Sequence, residues 1–293
     1  MADIEQIADL KKAVEETREL PAMPALAVKL FKLKNNTNAG ADDLARVIEL
    51  DPSLAGQIVR YATSPFFGYR GQIESIQDAI ARVLGFEKAM NIATGLALGK
   101  TFSMTAEGPL GMKALWRHAV YSAAFMQLLA EAMPKALKPK PGLAYLAGLL
   151  HNIGYLMIGH LFKREFKLLN ETVENQPERP IQEIEKKLLG ADHTELGVWL
   201  MRAWHMPSEV VTTAFEHHNE NYRGQYAVYA NLALIADRML RRRDIGDAPN
   251  DELPKAVMQE LGFQDKRVNK IFDKLLESER GLETIAKEMA SGI

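Results

Sequence analysis

From Pro141 to Phe162 the chain contains no Lys, Arg, Asp or Glu, and this one stretch constrains the fold more than any other. An uncharged run longer than roughly 18 residues is either a membrane span or a helical segment buried on every side. The run carries His151, Asn152, His160 and four glycines, all of which raise its transfer energy into lipid. It therefore predicts a buried central helix, and a helix apolar all round needs other helices to cover it.

The rest of the sequence supplies that cover. Helical periodicity dominates and no alternating strand pattern stands out, so the expected fold class is all-α. Ile4, Ile7, Leu10 and Val14 mark a first amphipathic helix that stops near Pro21. Further helices are expected over about 24–33 and up to Leu50, with Asp42 or Asp43 as cap, and again after Asp51-Pro52, an acidic cap followed by proline at a first helical position. Ser75 reads as another cap, and helices flank Leu84-Gly85-Phe86. Gly95 and Gly99 have the spacing that lets two helices approach closely. Gly108-Pro109 and Gly111 break the helical pattern and divide an N-terminal bundle, residues 1–105, from a second helical lobe, residues 106–243. In that lobe helices are expected over about 113–133, 143–167, 181–189, 195–204, 208–218 and 225–242, with Asp192 and Glu195 forming a capping box. A Lys- and Glu-rich helical extension, residues 244–293, follows Arg241-Arg242-Arg243, cations that suit a helix C-terminus.

With 293 residues, 47% hydrophobic and 25% charged, the composition is that of a globular protein. A formal net charge of -2 gives no global attraction for nucleic acid or for an anionic membrane. The chain has no cysteine, which excludes disulfides and thiolate chemistry and leaves only nitrogen and oxygen ligands for any metal. No targeting segment is evident at the acidic start, and a cytoplasmic location is expected.

The histidines carry the chemistry. His118, His151, His193 and the pair His217-His218 precede Asp237 on a later helix. Neutral imidazole is a frequent transition-metal ligand, and a carboxylate often completes such a site. This order resembles the HD superfamily of metal-dependent phosphohydrolases, whose defining His-Asp doublet here reads His151-Asn152. Other segments sharpen the likeness: Leu20-Pro21-Ala22-Met23-Pro24, Ile48-Glu49-Leu50-Asp51-Pro52, Tyr61 to Gly68, Ile73 to Ile76, Ala147 to Gly154, Glu185, and Trp204-His205-Met206-Pro207. In that order they resemble the HDOD domain, the HD-related output domain of bacterial signalling proteins, from about Glu19 to Arg242.

The resemblance implies a two-lobe helical fold, a bacterial source and a regulatory role. It also implies a metal-ligand set of His118, His151, His193, His217 or His218, and Asp237. The sequence departs from the catalytic members in three places. Asn152 replaces the bridging carboxylate, Tyr155 stands where an Ile-Gly-Lys motif would place lysine, and Asn219-Glu220-Asn221-Tyr222 follows the histidine pair in place of Gly-Tyr-Pro. A pocket so rich in nitrogen suits Zn, Fe, Co or Ni better than Mg or Ca. Two functions are thus open: a non-catalytic module that binds a signalling protein, a nucleotide or another small ligand, and a metal-dependent phosphohydrolase. His160 and His205 match no ligand position and are expected to pack or face solvent. Phe66, Phe67, Tyr69 and Arg70 are the candidate interaction residues of the first lobe, with aromatic packing of their own loop as the plainer alternative.

Overall fold

The computed structural model describes residues 21–291, and among them there are helices and turns but no strand. The expected helix around Ile4 to Val14 lies outside the described residues. The first lobe comprises α1 (Ala25–Lys34), α2 (Ala41–Ile48), α3 (Pro52–Thr63), the short α4 (Ile76–Asp78) running into a π-turn over Ala79–Leu84, and α5 (Phe86–Gly99). Asp51 caps α3 by accepting from the Leu54 N–H, and Ser75 caps α4 through the Asp78 N–H, as their positions before these helices predict. Neither Asp42 nor Asp43 is the cap of α2. Gly40 holds that position, and Asp43 lies inside the helix, where its carboxylate accepts the Gly40 N–H.

The second lobe is built on α6 (Met112–Ala132), α7 (Pro141–Leu150) and α8 (Ile153–Leu161). The uncharged stretch from Pro141 to Leu161 is long and apolar enough for a membrane span by composition, yet residues Gly142 to Gly159 are all buried in the protein. The single helix expected over about 143–167 is in fact three: α7, α8 and α9 (Lys163–Asn175). The first break falls at His151-Asn152, where Asn152 leaves helical geometry at φ -100, ψ 21 and both side chains remain inside the lobe. Helices α10 (Ile181–Leu189), α11 (His193–Ala203), α12 (Ser208–Glu216) and α13 (Ala227–Arg241) complete the lobe. The predicted capping box starts α11: Asp192 accepts from the Glu195 N–H, and Glu195 accepts from the Asp192 N–H.

One continuous hydrophobic core runs through both lobes. Helix α5 lies against α7 and α6 because Gly95 faces Leu149 and Gly99 faces Trp116, with no room for a Cβ at either position. A buried hydroxyl pair, Tyr145 donating to Tyr61 at 2.6 Å, joins α7 to α3. The extension expected as one helical stretch resolves into α14 (Lys255–Glu260), α15 (Asp265–Leu276) and α16 (Glu279–Ser291). Helix α16 packs along α6 and touches α3, burying Leu282, Ile285 and Ala286. Its Glu288 and Glu283 pair with Arg60 and Arg117, so its rim meets both lobes.

Candidate metal centre

Residues far apart in sequence meet in the second lobe because two helix bodies, one helix start and two turns point inward together. His118 comes from the body of α6, His151 and Asn152 from the α7–α8 turn, His193 from the first residue of α11, His217 and His218 from the turn after α12, and Asp237 from α13. Gly154 permits this convergence: a Cβ there would lie 1.9 Å from the His193 carbonyl oxygen. Only glycine lets α8 and α11 approach so closely.

The ligands sort into two groups of three, His118–His151–Asp237 and His193–His217–His218. The rings of His151 and His217 bridge them, edge to face at 4.8 Å between centroids. In the first group His118 Nε2 lies 2.9 Å and His151 Nε2 3.6 Å from Asp237 Oδ1. In the second, His193 Nε2 lies 3.4 Å from His217 Nε2 and 3.2 Å from His218 Nε2.

Outer hydrogen bonds fix which nitrogen is available. His151 Nδ1 donates to the Gly148 carbonyl at 2.7 Å, and His217 Nδ1 donates to the Thr213 and Ala214 carbonyls. Both Nε2 atoms therefore present lone pairs inward. Burial drives both pKa values down, His151 to about 4 and His217 well below its ordinary value, so the two rings are neutral near pH 7. His193 behaves oppositely. Burial opposes its charge, but the carboxylates of Glu185 and Asp247 outweigh burial and raise it to about 9. Its Nδ1 donates to Glu185 at 2.8 Å, and its Nε2 faces His217 Nε2 at 3.4 Å.

Asn152 is the decisive departure. Its Nδ2 donates to His118 Nδ1 at 3.2 Å, while His118 Nε2 faces Asp237. The neutral amide serves as a hydrogen-bond partner to the far side of His118. Burial works against the charged form of His118, yet the Asp237 hydrogen bond holds its pKa above the ordinary value.

The residues fit a metal ion on their own chemistry. His151 Nε2, Asp237 Oδ2 and Asp247 Oδ1 are buried without a hydrogen-bond partner, at a cost of about 1–3 kcal/mol for each such group. A cation coordinated there would satisfy lone pairs that have no hydrogen-bond partner among the described residues.

Two residues of the cluster were not among the sequence candidates. Glu185 orients His193 as described, and Asp247, in the loop after α13, lies 3.6 Å from His218 Nε2 and accepts from the Tyr155 hydroxyl at 2.9 Å. Glu185 was visible only as part of the family pattern, and nothing in Gly246-Asp247-Ala248-Pro249 distinguishes it from an ordinary turn. The two remaining histidines and the first-lobe candidates lie apart from the cluster. His160 Nδ1 accepts the Ser103 N–H, and its ring packs edge-on to Phe102. His205 sits at a left-handed backbone position, φ 51, beside Trp204. Phe66 and Phe67 form a T-shaped pair packed on the core, Tyr69 is half-buried, and Arg70 is exposed.

Comparison with known proteins identifies the family and the fold. The family model for the HDOD domain matches residues 20–220. A candidate signal transduction protein from Marinobacter aquaeolei VT8 is 37% identical over 94% of this chain, with a TM-score of 0.82. This chain spans 61% of that protein's length. An HDOD domain protein of unknown function from Geobacter sulfurreducens is 24% identical, covering 98% of this chain and 99% of its own, with a TM-score of 0.75. A candidate metal-dependent phosphohydrolase from Shewanella amazonensis SB2B shares the fold at 21% identity, covering 94% of this chain and 96% of its own, with a TM-score of 0.65. No curated protein matches the chain.

Proposed function

Since the chain belongs to the HDOD domain family, we propose that it is a regulatory signal-transduction module that acts by binding a signalling protein rather than by hydrolysing a phosphoester. One observation carries this reading: the histidine cluster is closed. His151, His193 and His217 are fully buried, and His218 keeps only 12% of its side chain exposed. The cavity that reaches the cluster, lined by Gln182, His218, Asp237, Arg238 and Asp247, has a volume of about 70 Å³. That admits a few waters or a small ion, whereas pockets for small-molecule ligands run to roughly 300–1,000 Å³. A nucleotide would need the loop carrying Asp247 to leave. The neutral Asn152 adds a second obstacle, because a two-metal clamp depends on a bridging carboxylate.

The alternative, a metal-dependent phosphohydrolase, is favoured by the two intact groups of three ligands. The protein is assayed against cyclic dinucleotides, phosphomonoesters and nucleotides with added Zn²⁺, Co²⁺, Ni²⁺ or Mn²⁺. The expected result is no turnover above the metal-only control. Metal-dependent hydrolysis that disappears in His193→Ala would establish the alternative instead.

A further inference from the structure

The loop between α13 and α14 closes over the histidines in a way that the family motif does not account for. Gly246 adopts φ +89, and a Cβ there would lie 2.8 Å from His118 Nε2. Glycine alone brings this backbone onto the His118 ring and delivers the next side chain, Asp247, into the cluster. The Asp247 side chain is 5% exposed, its Oδ2 is held by the Tyr155 hydroxyl, and its Oδ1 has no partner.

We propose that Asp247 is the carboxylate ligand of a single-ion site completed by His193, His217 and His218, supplying the oxygen that Asn152 cannot. The distances support a tetrahedron. Zinc binds histidine nitrogen and carboxylate oxygen at about 2.0–2.2 Å, which separates neighbouring ligand atoms by roughly 3.3–3.5 Å. Four of the six edges are His193–His217 at 3.4 Å, His193–His218 at 3.2 Å, and His218–Asp247 at 3.6 Å and His193–Asp247 at 3.9 Å, the last two to the Oδ2 that also accepts from Tyr155. Three imidazoles and one carboxylate suit Zn²⁺ or Co²⁺, and four protein ligands make a closed, structural type of site. The ion would hold the loop against α11 and α12, with Glu185 and Tyr155 as the groups that orient His193 and Asp247. This inference rests on the cluster and not on the regulatory reading, so observed hydrolysis would remove that reading and leave this one standing.

The test is a Co²⁺ titration of metal-stripped full-length protein, read by visible absorption and by stoichiometry. Wild type is expected to take up one ion with the intense visible bands of four-coordinate Co²⁺. Asp247→Asn should weaken binding at least about tenfold and dim those bands, whereas Asp237→Asn, the same charge change in the neighbouring group, should alter affinity by less than about threefold. Tyr155→Phe keeps every ligand but loosens Asp247, and should fall between them; it decides the matter if Asp247→Asn fails to fold by circular dichroism. The proposal is overturned if wild type binds no Co²⁺, if Asp247→Asn and Tyr155→Phe match wild type, or if Asp237→Asn alone abolishes binding.

Discussion

The ring of Tyr155 lies almost parallel to that of His193, with centroids 4.2 Å apart and planes 18° from coplanar, while its hydroxyl donates to Asp247. One side chain thereby fixes the face of a histidine and the position of a carboxylate. It stands where the resemblance to catalytic HD phosphohydrolases implies lysine.

Tyr155→Phe should therefore destabilise the protein through Asp247. Losing a hydrogen bond to a buried carboxylate costs about 1.5–3 kcal/mol. The urea midpoint should fall accordingly in the presence of a chelator, and an unchanged midpoint would remove Tyr155 from this role.

Gly154→Ala should act on the packing and the site together. The added Cβ would collide with the His193 carbonyl, and overpacking of this kind costs about 1–3 kcal/mol or more. Both thermal stability and Co²⁺ affinity are expected to drop, since α8 and α11 must separate. Lost stability with unchanged affinity would show that the ligands adjust independently of the helix contact.

Asn152→Asp places a carboxylate on the Nδ1 side of His118, whose Nε2 already meets Asp237. Without metal, an added buried negative charge beside His118 should cost of order 2 kcal/mol. With Zn²⁺ the variant should gain more in melting temperature than wild type does. Equal gains in both would show that residue 152 does not sense the ion.

Metal-free protein should lose stability as acidity increases, for a reason that is legible in the cluster. His151 has a folded-state pKa of about 4, below the usual 6.5 of an unfolded histidine, and His217 is likewise depressed. Their contribution is present above about pH 6.5 and is lost as pH falls toward 4, because the unfolded chain binds the protons first. His193 contributes in the opposite sense: its share is full below about 6.5 and is lost as pH rises through about 9. Urea midpoints between pH 4 and 9.5 in a chelator should peak in the interior of this range. In His151→Asn the acid-side loss should be smaller, and an identical acid limb would exclude His151 as its source.

In the first lobe, Phe67→Ala should cost about 2 kcal/mol or more, because Phe67 packs on the core beside Tyr61 and Phe66. Arg70→Ala, at an exposed position, should stay within about 0.5 kcal/mol. For mapping a protein partner, Arg70 and Tyr69 are thus cleaner probes than the two phenylalanines. Comparable losses at Phe67 and Arg70 would contradict this division.

The uncharged stretch from Pro141 to Phe162, the caps at Asp51, Ser75 and Asp192, and the ordered histidines determined the all-α class and the ligand types by themselves. These are local features: periodicity, capping and side-chain chemistry act within a few residues and can be read without knowing what lies opposite. The same locality explains what was misread. Nothing in the apolar periodicity of 143–167 shows that the helix must break at His151-Asn152, because that break is set by neighbours from α6 and α13 that accept the two side chains. Tertiary structure alone decided that the five histidines divide into two groups, that Asn152 turns to His118, and that Gly246 presses Asp247 into the cluster. Each of these depends on contacts between segments distant in the chain, and a carboxylate in a Gly-Asp-Ala-Pro turn carries no local mark of the histidines it will meet.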